Sequence, residues 1–501
     1  MELLDQILGG FATAVTPVNL MYCFIGVLLG TVIGLLPGLG SATGVALLLP
    51  LTLTLEPVTA LIMLAGIYYG TQYGATISSV LISTPGDSAT VVTTLDGYQM
   101  ARRGRAGPAL AIAAIASFLA GTISIVLLMT LAPLFARFAL NFGPPETVAL
   151  MVLGFAGVIG FSETSRAKGI AMAAFGLALA TIGLDPQTGV PRFTFGSVQL
   201  LGGIGFLEVV IGLFAVAEVM SQVHGGGSAP IRTRFRDMLL TRDDWRRTRM
   251  SIVRGGFLGF FMGVLPGAGA TLASFFSYDL ERRFSQHKDE FGKGAIEGVA
   301  GPEAANNAAV NGAFVPTLTL GIPGSGTTAV LLGAFLLFGI QPGPLLLEEQ
   351  PDLVWGLIAS FYIGNVILLF LNLPLAPVFA SILRLRYGML YPLILLLCFV
   401  GAYAIENRLW GVWLAFAFGV IGYFMKRYDY PAAPVILGLI LGGLLEEALM
   451  QTSSISGGDF TIFLRRPIAL VLFVLAALVI LGPYIIKGVS RLSRRPEVSG
   501  R

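Results

Sequence analysis

The chain has 501 residues, 55% of them hydrophobic and only 12% charged, with a mean hydropathy of +0.82. A soluble fold of this length cannot hide that much apolar surface, so the composition points to a membrane protein and away from a water-soluble enzyme or binding domain. The net charge of +3, from 31 Lys+Arg against 28 Asp+Glu, lacks the bulk basicity that marks nucleic-acid binding, and no nucleic-acid partner is expected.

The first ten residues carry Glu2 and Asp5 without a basic cluster, so no cleavable signal peptide is read there. A hairpin is predicted near 20–55, around the run G-V-L-L-G-T-V-I-G-L-L-P-G-L-G at 26–40. Glycines four residues apart let membrane helices pack closely, whereas Pro37-Gly38 inside an apolar stretch breaks one. A span near 57–83 leads into a broken segment near 74–97 with Pro85, Gly86, Asp87 and Ser88 at its tip. Apolar runs near 107–140, 146–162, 169–184 and 199–222 complete a first half, residues 1–222. Residues 223–254 open glycine-rich and turn arginine-rich, which reads as a cytoplasmic basic linker. The second half, 255–501, starts with a hairpin near 255–281 and passes through a span near 294–320 into a broken segment near 312–341. C-terminal helices follow near 351–383, 389–405, 408–425, 430–449 and 465–485.

The halves repeat one another. At an offset of 229, Gly26, Gly30, Gly34, Pro37, Gly38 and Gly40 fall on Gly255, Gly259, Gly263, Pro266, Gly267 and Gly269. At an offset of 238, Pro85, Gly86 and Thr90 fall on Pro323, Gly324 and Thr328. Arginines flank the second hairpin on both sides, which places both its ends in the cytoplasm and opens the first hairpin the other way. The reading is an all-α polytopic membrane protein of about 11 spans plus two re-entrant hairpins, arranged as two inverted-topology repeats with Pro-Gly-broken helices. Arg465 and Arg466 fall on the outer side of this threading, against the charge rule. Such symmetry suits alternating access, with an elevator-like displacement of the hairpin-bearing core.

Backbone freed by a break costs several kcal/mol per unsatisfied group in hydrocarbon, so the four breaks must face protein or a water-filled cavity. Small polar residues after each break can start a helix whose N–H groups and positive dipole end attract carboxylates. The candidate substrate-binding residues are therefore Gly38, Gly40, Ser41, Thr43, Gly86, Ser88, Gly267, Gly269, Thr271, Gly324, Ser325 and Thr327. Cation coupling is assigned to Asp87, the charged residue nearest a tip, and to Asn306, Asn307 and Asn311 inside a predicted span. Asn306 and Asn307 are the candidate Na+ ligands, with Glu303 beside them; Tyr68, Tyr69 and Tyr73 hold the matching stretch of the first half. Other roles stay open at this point: the spaced glycines as packing residues, the asparagines as interhelical hydrogen-bonders, and either acid as the partner of an arginine.

Cys23 and Cys398 lie in separate apolar runs and read as buried thiols, and His224 and His287 sit in polar loops. With no intramembrane histidine, no H-E-x-x-H and no phosphate-binding loop, no catalytic residue is named and a non-enzyme is expected. The alternatives are an intramembrane enzyme and a passive anion channel.

The motifs G-L-L-P-G-L-G-S-A-T at 34–43, E-A-A-N-N-A at 303–308 and L-G-I-P-G-S-G-T-T at 320–328, followed by L-L-G-A and Q-P-G-P, resemble the signatures of the TctA-like large membrane subunit of tripartite tricarboxylate transporters. The resemblance covers essentially the whole chain. It implies a multi-pass permease of the bacterial inner membrane that works with a small membrane subunit of about four helices and a periplasmic solute-binding protein. It further implies uptake of di- and tricarboxylates or related organic anions, coupled to Na+ or H+, with no other cofactor. Substrate or ion contact is carried over to residues 37–43, 85–88, 266–271 and 323–327 and to Asn306 and Asn307. Ala270 stands where the first copy has Ser41, which breaks hydroxyl-for-hydroxyl symmetry between the hairpin tips.

Overall fold

A computed structural model describes residues 2–160, 165–185, 188–222, 231, 235–383 and 387–493. Its regular structure is helical apart from one short ladder, in which Gly183–Leu184 pairs antiparallel with Pro191–Arg192. Among the described residues five helices are long and apolar enough to cross a membrane: Pro17–Leu35, Ser88–Ala139, Pro351–Asn372, Leu409–Arg427 and Ala433–Ser456. Shorter apolar helices, among them Gly40–Thr52, Pro144–Gly160 and Gly326–Leu337, lie between them. Proline starts several of these elements, at Pro17, Pro57 and Pro351, where its missing N–H removes no helical hydrogen bond.

The two segments predicted as hairpins each hold two consecutive helices joined by a short turn, Pro17–Leu35 with Gly40–Thr52 and Arg242–Val264 with Gly269–Phe284. The second begins earlier than the sequence suggested. A reciprocal cap fixes its start: Asp244 N–H donates to Thr241 Oγ1 at 3.1 Å and Thr241 N–H donates to Asp244 Oδ2 at 3.0 Å. Residues 242–254, read as linker, are thus the first turns of a hairpin arm, and two of their arginines have acidic partners. Arg247 bonds Glu297 and Glu290, and Arg254 bonds the buried Glu281. The preceding part of the linker, with His224, Arg232 and Arg234, lies outside the described residues, as do Arg384, Arg386, Arg494 and Arg495. An N-terminal helix, Glu2–Ala14, was not anticipated; Gly10 brings it against the backbone of Trp355.

The two long helices Pro57–Ile82 and Glu297–Leu320 each lie against the first arm of the hairpin in their own half, and glycine sets the contact. A Cβ on Gly26, Gly30 or Gly34 would lie 2.2–2.4 Å from the carbonyl oxygens of Met63, Ile67 and Thr71. In the second half the same register recurs, with Gly255, Gly259 and Gly263 facing the carbonyls of Gly301, Ala305 and Ala309 at 2.2–2.5 Å. The contact is returned from the other side by Gly74 on Thr31 and by Gly312 on Phe260, again matched residue for residue. Backbones this close leave no space for a side chain, and the approach is set by small residues as membrane helix packing requires. Both long helices then stop the same way, on a left-handed residue: Ser83 at φ 57° and Gly321 at φ 67°, which coincide at the offset of 238.

Valine at Gly34 or Gly263 is expected to cost more than ~3 kcal/mol and to remove the monodisperse peak in detergent size-exclusion chromatography. Gly443→Ala, where a Cβ meets nothing within 4 Å, should leave that peak unchanged.

Candidate functional site

Each hairpin tip turns on two glycines held in the left-handed region. Gly38 and Gly40 have φ of 78° and 61°; Gly267 and Gly269 have 79° and 60°. Only glycine adopts these angles without strain, and the agreement shows one turn built twice. The tips then satisfy their backbone on the break of their own half. Gly38 N–H donates to the Pro85 carbonyl at 3.3 Å, Gly40 N–H to the Gly86 carbonyl at 3.0 Å, and Gly267 N–H to the Gly324 carbonyl at 3.0 Å. Gly86 and Gly324 allow this approach, since a Cβ on the first would lie 1.8 Å from Gly34 O and on the second 2.8 Å from Gly263 O.

All four breaks line a single cavity of about 500 Å³, a size that suits a small organic molecule. Its wall includes Gly38, Gly40, Ser41, Thr43, Gly86, Ser88, Gly267, Gly269, Thr271, Ser325 and Thr327; of the candidate substrate-binding residues Gly324 is set back from it, as are Pro37, Pro266 and Pro323 of the stretches carried over by resemblance. Hydroxyl pairs join the halves across this space: Ser41 Oγ lies 2.8 Å from Thr327 Oγ1, and Ser88 Oγ lies 2.7 Å from Thr271 Oγ1. Each pair links the hairpin of one half to the break of the other.

Asp87 organises the first half of the site. Its Oδ2 accepts from Ser41 N–H at 2.8 Å and Ser41 Oγ at 2.9 Å, and its Oδ1 accepts from Ala89 N–H at 3.0 Å. One carboxylate thereby caps two helix starts, those of Gly40–Thr52 and of the segment after the break. The matching residue in the second half is Ser325, which caps Gly326–Leu337 in a reciprocal pair with Thr328 and brings no charge. The helix starting at Gly269 therefore faces the cavity without a built-in anion. Among the described residues no lysine, arginine or histidine lines the cavity, and the other acid on its wall, Glu218, is paired with Lys426.

Sequence reasoning missed five wall residues: Gln72, Phe214, Glu218 and Leu272, and Tyr68 as a cavity residue. Tyr68 Oη lies 3.3 Å from Ser325 Oγ, and Gln72 is a lone amide in an apolar helix, a signal that polarity at membrane depth does supply. Phe214 lies in a widened π-type turn, Ile211–Val216, and its carbonyl accepts from Thr43 Oγ1 at 3.3 Å; such bulges favour functional sites.

The three asparagines sit elsewhere. All are fully buried in Glu297–Leu320, and none is on the cavity wall. Asn307 Nδ2 donates to Ser117 Oγ at 2.7 Å, and Asn311 Nδ2 to Ser124 Oγ at 2.6 Å, both on the helix Ala106–Ala139. Their donors serve interhelical bonding, while the Oδ1 atoms of both and each amide atom of Asn306 have no partner. Glu303 is likewise enclosed: Thr76 and Thr93 hydroxyls donate to its two oxygens at 2.7 and 2.5 Å.

A family model described as "Tripartite tricarboxylate transporter TctA family" matches residues 20–437. Among curated proteins, the chain is 47% identical over 470 residues to an uncharacterized 52.8 kDa protein in the TAR-I ttuC' 3' region of Agrobacterium vitis, with 94% of each chain covered. It is also 49% identical over 211 residues to an uncharacterized protein in the TAR-II ttuC' 3' region of the same organism, covering 42% of this chain and 87% of that one. No solved structure matches.

The interhelical role of the amides is measurable. In a double-mutant cycle, Asn311→Ala and Ser124→Ala should couple by about 0.6 kcal/mol, at most ~1.7, in detergent unfolding; strictly additive losses would contradict the contact.

Proposed function

Because the chain belongs to the tripartite tricarboxylate transporter TctA family, we propose that its four-break cavity binds an organic di- or tricarboxylate and that a Na+ or H+ gradient drives uptake. The observation behind this reading is the convergence of four Pro-Gly breaks on one cavity that offers helix starts and hydroxyls but, among the described residues, no basic side chain. An anion held there relies on backbone N–H groups and the Ser325, Thr327 and Thr271 hydroxyls. The start of Gly269–Phe284, free of the carboxylate that Asp87 supplies to its counterpart, is the natural seat of a substrate carboxylate.

Asp87 supplies the logic of coupling. Two carboxylates ~4 Å apart in a partly shielded cavity repel by roughly 4 kcal/mol, about a thousandfold in affinity. A cation at Asp87 removes that penalty, so the anion binds well only after the cation has bound. Among the four residues assigned to coupling, the proposal keeps Asp87; the asparagines are packed away from the wall.

The rest of the transport cycle follows the family. A small membrane subunit of about four helices and a periplasmic binding protein would complete the system in a bacterial inner membrane, the binding protein delivering solute to the outward-facing cavity. Matched tips and matched glycine ladders in the two halves support inverted repeats that exchange conformations, with an elevator-like displacement as the motion.

Proteoliposomes holding the chain and its small subunit, supplied with binding protein and radiolabelled citrate, test the reading. Citrate should accumulate above its external concentration only under an inward cation gradient; simple equilibration would indicate a channel, and chemical alteration an enzyme. Ser325→Ala and Thr271→Ala should each lower uptake about ten- to a hundredfold at unchanged membrane abundance, the worth of one hydrogen bond to a charged group.

A further inference from the structure

We infer that the oxygen cluster of Asp87, Ser41, Gln72 and Thr327 is a Na+ site that bridges the two halves of the chain. The inference rests on the transport reading for its purpose, but its geometry stands alone. Ser41 Oγ sits at the centre of the cluster: it donates to Asp87 Oδ2 at 2.9 Å, lies 2.8 Å from Thr327 Oγ1 and accepts from Gln72 Nε2 at 3.2 Å. Gln72 is 1% exposed, lines the cavity, and leaves its Oε1 without any partner. A buried amide oxygen in that state is short of a donor or a cation. A half-turn of the amide exchanges its two polar atoms and brings the oxygen to Ser41.

The donor chemistry selects the ion. Every candidate ligand is an oxygen, from one carboxylate, two hydroxyls and one amide, the set that hard cations take. Among the described residues no group of three or more His, Cys, Asp or Glu side chains could hold a metal ion, and this cluster brings a single carboxylate, fewer than a divalent ion calls for. Glu218 already has Lys426, so the cavity wall presents one uncompensated negative charge, and one monovalent cation balances it. Oxygens already 2.8–2.9 Å apart suit small Na+ better than the wider cage K+ requires.

Position gives the site its consequence. Ser41 belongs to the first hairpin, Gln72 to the first long helix, Asp87 to the first break and Thr327 to the second break. An ion held by all four ties the first hairpin to the helix start beside which Ser325 waits for the anion, so cation occupancy and the shape of the anion seat change together.

The test needs no transport. The purified full chain in detergent is melted in NaCl, KCl or choline chloride at constant ionic strength. Na+ should raise the wild-type midpoint by several degrees in a saturable way, and K+ should match choline. Gln72→Leu and Thr327→Val should move the half-maximal Na+ concentration at least tenfold higher, and Asp87→Asn should abolish the response. Midpoints in choline and elution profiles show that each variant is folded; if Asp87→Asn is not, the other two decide. A wild-type-like Na+ response in the folded variants, an equal response to K+, or no Na+ response in the wild type would each overturn the site. Proton-driven citrate accumulation by a wild type that ignores Na+ would remove this site and leave the transport reading intact.

Discussion

Backbone released from a helix inside an apolar protein has to be satisfied by protein, and this constraint orders the whole site. Each hairpin tip places its N–H groups on the carbonyls of a second break, so neither interruption is stable without the other. The glycine ladders make that possible. By bringing hairpin arm and long helix to backbone contact over three successive turns, they deliver the tip of one to the break of the other in fixed register. Packing and site are therefore one construction, and the glycines far from the cavity position the residues that line it.

The same construction appears twice with different chemistry at one point. Where the first half has Asp87, the second has Ser325. The carboxylate spends itself on two helix starts of its own half, whereas the serine caps only its own helix and leaves the neighbouring start at Gly269 open. The cavity of about 500 Å³ thus has a carboxylate on one side and, on the other, a helix start at Gly269 with no side-chain cap. That is what a site for a cation and an anion together requires, and hydroxyl pairs from Ser41 to Thr327 and from Ser88 to Thr271 hold the two sides against each other.

Much of this was legible in the chain because proline and glycine leave positional marks. Pro37-Gly38, Pro85-Gly86, Pro266-Gly267 and Pro323-Gly324 named the breaks, and fixed offsets relate those of one half of the sequence to those of the other. What stayed hidden depends on rotation and on partners. Asn307 and Asn311 look like ligands because an amide can coordinate, yet their side of the helix faces Ser117 and Ser124 instead of the cavity. Gln72, without a motif around it, faces inward by helical phase alone. Arg247 and Arg254 read as a solvated loop because their acidic partners Glu297 and Glu281 lie on other elements. The short arms after the first and last breaks, 13 and 12 residues in Gly40–Thr52 and Gly326–Leu337, blur any count of spans, since ~20 residues are needed to cross.

The central claim is that the breaks of opposite halves meet. It is tested most directly by oxidising the pair Ser88→Cys and Thr271→Cys, 183 residues apart in sequence and in hydroxyl contact in the structure, in a chain whose Cys23 and Cys398 are replaced by alanine. The account predicts rapid intramolecular disulfide formation in membranes under mild oxidant. Failure of a folded, membrane-inserted double variant to cross-link, with both thiols open to alkylation, would contradict it.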